Sequence, residues 1–176
     1  MRFAFSDEQL LLQSTVGDFL RKECPPEVVR ASWASETGHA PALWRQLAEL
    51  GVLGALAPEG QGGMGLDERD LVLLLEETGR AALPAPLVAT AAVGVPLLRE
   101  LGGPLAEAWL PRIAAGEAFV AAGQPANPFV TDAHLADLLL LRHDDEVHAV
   151  ARGGPGPALR LVRQPATDPG RRLYAV

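Results

Sequence analysis

The chain has 176 residues, 48% hydrophobic, 21% charged and 5% aromatic, with a net charge of −7. An acidic balance works against nucleic acid and anionic membranes, which require clustered Lys and Arg. A single cysteine, Cys24, excludes an intrachain disulfide, and a chain this long buries roughly 70% of its unfolded surface without staples. The opening MRFAFSDEQ turns acidic before an apolar run develops, so it does not read as a signal peptide, and no run approaches a bilayer span. The expectation is a soluble, cytoplasmic protein with no membrane or nucleic-acid partner.

The first two thirds read as helices. Ser6 with Gln9 forms a capping box, and Leu12, Val16 and Phe19 mark one face of a helix ending near Cys24. Pro25 and Pro26 stop it, with a short helical turn restarting at Glu27. A second long helix starts at Pro41, runs through Leu43, Leu47 and Leu50, and ends at Gly51. After the glycine-rich run Pro58 to Gly65, Asp67 caps a third, with stripe Leu71, Leu74, Leu75 and Thr78. Pro86 to Leu101 is helical and apolar on nearly every side, which predicts burial. Gly102 and Gly103 end it, and Pro104 to Ala115 makes a last short helix.

Beyond Gly116 the pattern shortens. Phe119 to Ala122, Leu138 to Leu141, Val147 to Val150, Leu159 to Val162 and Leu173 to Val176 read as five strands of one small sheet. Turn-rich pieces such as Gly153-Gly154-Pro155-Gly156-Pro157 and Asp168-Pro169-Gly170 separate them. The layout is α+β: a helical bundle over 1–116, then a small, mostly antiparallel β segment over 117–176.

No self-contained active site emerges. Gly60, Gly62 and Gly65 match G-x-G-x-x-G, but a dinucleotide fold needs that run directly after a strand of a parallel sheet. A sharp turn between helices is the better reading, and a helical setting for residues 40 to 80 eliminates the nicotinamide alternative. His143 and His148 flank Asp144, Asp145 and Glu146 at an expected hairpin, a solvated turn rather than a metal site. His39 and His134 have no partner identifiable in sequence. Glu76 and Glu77 point about 100° apart on a helix, so they do not converge as an acid/base pair and read as solvated surface. Cys24 has no positioned base.

Four segments, in order, resemble the acyl-CoA dehydrogenase family. They are Phe5-Ser6-Asp7-Glu8-Gln9, the run LAELGVLGALAPEGQGGMG from Leu47 to Gly65, LVLLLEETG from Leu71, and LPRIAAGE from Leu110. Leu83-Pro84-Ala85-Pro86-Leu87, Ala136-Asp137-Leu138 and Arg171-Arg172-Leu173 resemble a short actinobacterial branch, several members of which work as two-subunit assemblies.

The resemblance implies flavin-dependent α,β-dehydrogenation of an acyl-CoA thioester, with FAD as cofactor and a homo- or hetero-oligomer with another acyl-CoA dehydrogenase subunit as the working form. It also implies that the family's C-terminal helical bundle, which usually carries the catalytic glutamate, is absent here. No catalytic residue and no metal ligand is therefore assigned. The positions aligned with the flavin-contacting strand are Gly123, Gln124 and Pro125, where the family's Thr-Glu-Pro keeps only its proline. Leu87 to Leu98 is the candidate wall for an acyl tail. The alternative is a non-catalytic binding subunit on the same scaffold. An exposed apolar face on the helical part, for the missing bundle or a partner, separates the first reading from a closed module.

Overall fold

A computed structural model describes residues 4–154 and 159–176. The start of the opening segment and most of the Gly153–Pro157 turn thus lie outside the described residues. Helices come first: α1 (Asp7–Glu23), α2 (Pro26–Ala34), α3 (Pro41–Glu49), α4 (Glu68–Arg80), α5 (Val95–Leu101) and α6 (Gly103–Ala114). A 3-10 turn (Glu59–Gln61) precedes α4, and a π-helical stretch (Val88–Gly94) runs straight into α5. Six strands follow: β1 (Val120–Gly123), β2 (Val130–Thr131), β3 (Leu138–His143), β4 (Glu146–Ala151), β5 (Val162–Gln164) and β6 (Leu173–Ala175).

Local chemistry sets the helix ends. The Gln9 amide N–H donates to Ser6 Oγ at 3.2 Å, and the Gln9 side chain accepts the Ser6 N–H at 2.8 Å. Asp67 and Asp70 make the same reciprocal box for α4. The Arg69 guanidinium bonded to Asp67 holds that carboxyl down to about 2, so the cap stays a charged acceptor. The helix after Pro25 is longer than a turn: with Pro26 at its first position it runs nine residues. The π-helical stretch has its cause in Pro96, which lacks an N–H and crowds the carbonyl four residues back. A wider turn ahead of it relieves that clash.

The strands form two three-stranded sheets, β1-β3-β4 and β2-β6-β5, rather than one. β1 runs parallel to β3, and the other pairings are antiparallel. β2 is a strand that the apolar pattern does not announce, and β5 sits a few residues later than Leu159. β3 is the partition of the molecule. Its residues Leu138 and Leu140, with Val120 of β1, face the helical core, whereas Leu139 and Ala121 face a second, smaller core with Val130, Ala133, Ala136 and Tyr174. A strand buried on both faces reads as an unbroken apolar run, which is why Leu138 to Leu141 shows no alternation.

Candidate functional site

β1 carries the candidate cofactor positions to its C-terminal end. Gly123 closes the strand, and Gln124 to Pro128 form an exposed turn in which the Asn127 N–H donates to the Gln124 carbonyl at 3.0 Å. Gly123 is dictated by packing. A Cβ there would lie 2.8 Å from Val130 Cγ2 and 2.9 Å from Leu141 Cδ2. Of the three positions only Gln124 has a polar side chain, and Pro125 has no N–H to donate. These three positions offer a ligand a single polar side chain, Gln124. They lack the donors to cradle a pyrophosphate, which calls for several aimed N–H groups.

The hydrogen bonds of β1 to the helical part run through the Thr90 side chain. Thr90, fully buried in the π-helical stretch, accepts the Val120 N–H and donates to the Val120 carbonyl, both at 3.1 Å. It thereby satisfies the strand edge that β3 leaves open. Gly94 makes the close approach possible, since a Cβ would sit 2.8 Å from Val120. The candidate acyl wall divides here. Leu87, Ala91, Val95 and Leu98 belong to the core, while Ala89, Ala92, Val93 and Leu97 are half-buried and Val88 is exposed.

The glycine-rich run is consumed by its own backbone. Met64, Gly65 and Leu66 donate to the carbonyls of Gly54, Ala57 and Ala55, and Gly62 and Gly63 to those of Glu59 and Pro58. Those N–H groups are spent, and among the described residues 40 to 80 there is no strand, so the nicotinamide reading is eliminated.

Other candidates resolve into structure. Glu76 pairs with Arg80 at 2.7 Å on the surface, as expected of a solvated acid. Glu77 departs from that reading: it is buried against Gly17 and accepts a hydrogen bond from Gln13 Nε2 at 3.1 Å. Both carboxylates flank the Arg80 guanidinium, Glu76 at 2.7 Å and Glu77 at 3.8 Å, so each serves an ion pair rather than an acid/base couple. Burial pushes the Cys24 thiol up, away from the nucleophilic thiolate, and its nearest acceptor is the Ala81 carbonyl at 3.8 Å. His143 and His148 stand on the β3–β4 hairpin, each beside an exposed acid. Among the described residues no three His, Cys, Asp or Glu gather to hold a metal ion, and no helix is long and apolar enough to cross a membrane.

Two shallow clefts open on the helical part. One, of about 450 Å³, runs between α1, α2 and the end of α4 over Leu20, Cys24, Val29 and Trp33. The other, of about 340 Å³, lies between α1 and Met64–Leu66, beside exposed Leu11. Phe5, Leu10, Leu11 and Val72 stay exposed, Leu11 at 67% and Val72 at 52%. These four apolar side chains of the helical part are open to solvent.

A polar cluster that sequence does not reveal lies where α2 and its following loop meet the strands. The buried Arg172 guanidinium, on the residue just before β6, donates to the carbonyls of Ser32, Trp33 and Ser35, closing the end of α2. His134 bonds the Thr37 carbonyl at 2.8 Å and stacks on Tyr174 at 4.9 Å. His39 packs against Phe119, which stacks in turn on Trp44. Asp132, pushed up to about 6 by burial and partly held back by Arg172, completes the group.

Residues 6–117 match the family described as acyl-CoA dehydrogenase, N-terminal domain. Acyl-CoA dehydrogenase IpdE2 of Mycobacterium tuberculosis is 31% identical over 168 residues, 95% of this chain and 50% of that protein. IpdE2 of Mycolicibacterium smegmatis is 42% identical over 94 residues, 53% of this chain and 30% of that protein. Among solved structures, the Tcur3481-Tcur3483 steroid ACAD G363A variant superposes with a TM-score of 0.80 at 25% identity, covering 96% of this chain and 54% of that one. The chain thus spans about half the length, or less, of the relatives it matches. With the family's N-terminal domain matched across most of the helical part, the chain belongs to the acyl-CoA dehydrogenase family.

Proposed function

We propose that this chain works in a flavin-dependent acyl-CoA dehydrogenase that oxidises the α,β bond of an acyl-CoA thioester, acting with a second acyl-CoA dehydrogenase subunit. The observation that carries this reading is the 168-residue match to an acyl-CoA dehydrogenase, which runs through the helical part and both sheets. Bound FAD would supply the two-electron acceptor. In this chain Gly123, Gln124 and Pro125 would line the flavin edge, with Gln124 offering its amide. Thr90 holds β1, and so that turn, against the helices. The half-buried Ala89, Ala92 and Val93 present small apolar side chains suited to an acyl tail. The exposed Leu10, Leu11 and Val72 are where we place the second subunit. The likeness to a steroid ACAD makes a bulky polycyclic acyl-CoA the first substrate to try.

The test is a visible spectrum after incubation with excess FAD and desalting. The chain alone is expected to retain no flavin band, and the chain co-purified with a second subunit to retain one and to bleach with acyl-CoA. A complex that holds no flavin and oxidises no acyl-CoA would leave the alternative, a non-catalytic binding subunit.

A further inference from the structure

We propose that the contact between the α2–α3 connection and the strands is an acid-sensitive joint, in which His39 and His134 are carried as neutral rings and proton uptake loosens the β part from the helical part. The inference does not depend on flavin chemistry. It rests first on hydrogen bonding. The Thr37 carbonyl can only accept, so the His134 Nε2 at 2.8 Å carries the ring proton and Nδ1 is the bare nitrogen. That Nδ1 is inaccessible to solvent and has no partner. A proton arriving there buries an N–H without an acceptor, which costs about 1–3 kcal/mol, more for a charged group. The His39 Nδ1 is likewise buried and unpartnered.

The charges around the rings oppose the proton as well. His134 faces Arg172 just before β6, Arg163 from β5 and Arg152 just after β4. Arg152 donates to the carbonyls of Ala133, Ala136 and His134 itself, fixing a cation beside the ring. His39 faces His134, so a proton on one disfavours a proton on the other. Burial is the larger cause in both, and each ring is held below the ordinary 6.5.

The sign follows from linkage. A histidine held below its unfolded value favours the folded chain fully above pH 6.5, and that advantage is lost as the pH falls through its folded value. Asp132 acts in the opposite sense. Its carboxyl, raised to about 6, is relieved of its burial cost as it protonates between there and 3.8. Protonation also removes the one acid that faces Arg172 among the groups named. With Asp132 neutral, His134 takes up its proton beside Arg172, Arg163 and Arg152, and that repulsion, with the unpartnered Nδ1 N–H, is what loosens the joint.

The joint has built-in reporters. Trp44 stacks on the Phe119 that touches His39, and the Trp33 carbonyl accepts from Arg172. In a Trp109→Phe background, tryptophan emission is expected to change in one step below pH 6.5, with far-ultraviolet circular dichroism still helical. In His39→Asn/His134→Asn the step is expected to move down by about one pH unit or vanish. An unchanged midpoint in that variant overturns the proposal. Should the variant not fold, NMR titration of the wild-type imidazoles decides. His39 and His134 titrating together with the Trp33 and Trp44 indole signals supports the joint. Titration of the two rings with both indoles unmoved refutes it.

Discussion

The helical part and the β part are built on different terms. The helical part closes around one large apolar core, to which α1, α3, α4, α5, α6 and the π-helical stretch all contribute fully buried side chains. Among the described residues the β part has six buried residues in its own core, few for two sheets, and takes further burial from the face of β1 and β3 turned to the helices. What joins them is partly apolar, through Val120, Leu138 and Leu140, and partly polar, through Thr90 and Arg172. The difference teaches that the helices can stand alone more easily than the strands, and that the strands depend on the joint for position.

β3 offers the sharpest test of that contrast, because neighbouring leucines on it serve the two cores. Leu138→Ala opens a cavity in the large core and is expected to cost about 3–5 kcal/mol in urea unfolding. Leu139→Ala opens one in the small core, whose few loosely tied walls can collapse, and is expected to cost about 2–3 kcal/mol. Equal costs would mean that the walls of the small core collapse no more readily than those of the large one.

Arg172→Met comes next. It strips the end of α2 of its donor at three carbonyls and is expected to cost about 2–3 kcal/mol, the range for a buried charged donor. The change is expected to speed hydrogen exchange in β6 and in the last turn of α2, and to leave α4 protected. Thr90→Val keeps the shape but leaves both polar groups of Val120 unpaired, for about 1–3 kcal/mol. By loosening β1, that variant is also expected to lower flavin retention in the two-subunit complex without unfolding the helices.

Local signals carried most of the helical part in the sequence. Ser6 with Gln9, Asp67, Pro41 and Gly51 act within four residues of themselves, and each stands where its chemistry predicts. What sequence hid depends on distant pairs. Glu77 reads as surface because Gln13, its hydrogen-bond partner, is 64 positions away. His134 meets Thr37 across 97 positions, and Arg172 meets Ser35 across 137. β2 is two residues long, below the length at which alternation has meaning, and the close approach of Val120 to Gly94 spans 26 positions. The candidate site was legible only as a position in an aligned motif, since the role of Gly123 is set by Val130 and Leu141, neither of them nearby in a way that spacing reveals.

The smallest effect tests the self-sufficiency of the helical part most directly. Ser6→Ala removes the acceptor for the Gln9 N–H, and the expected loss is about 1 kcal/mol. α1 reaches the β part through no hydrogen bond among the described residues. Its ties run to α4, through Gln9 to Asp70 at 2.7 Å and Gln13 to Glu77. The loss is therefore expected to fall on the helical core alone, adding to that of Leu139→Ala within about 0.5 kcal/mol in the double variant. Coupling well beyond that would show the end of α1 and the small β core to be one cooperative unit, and the division of the molecule drawn from its two cores would fail.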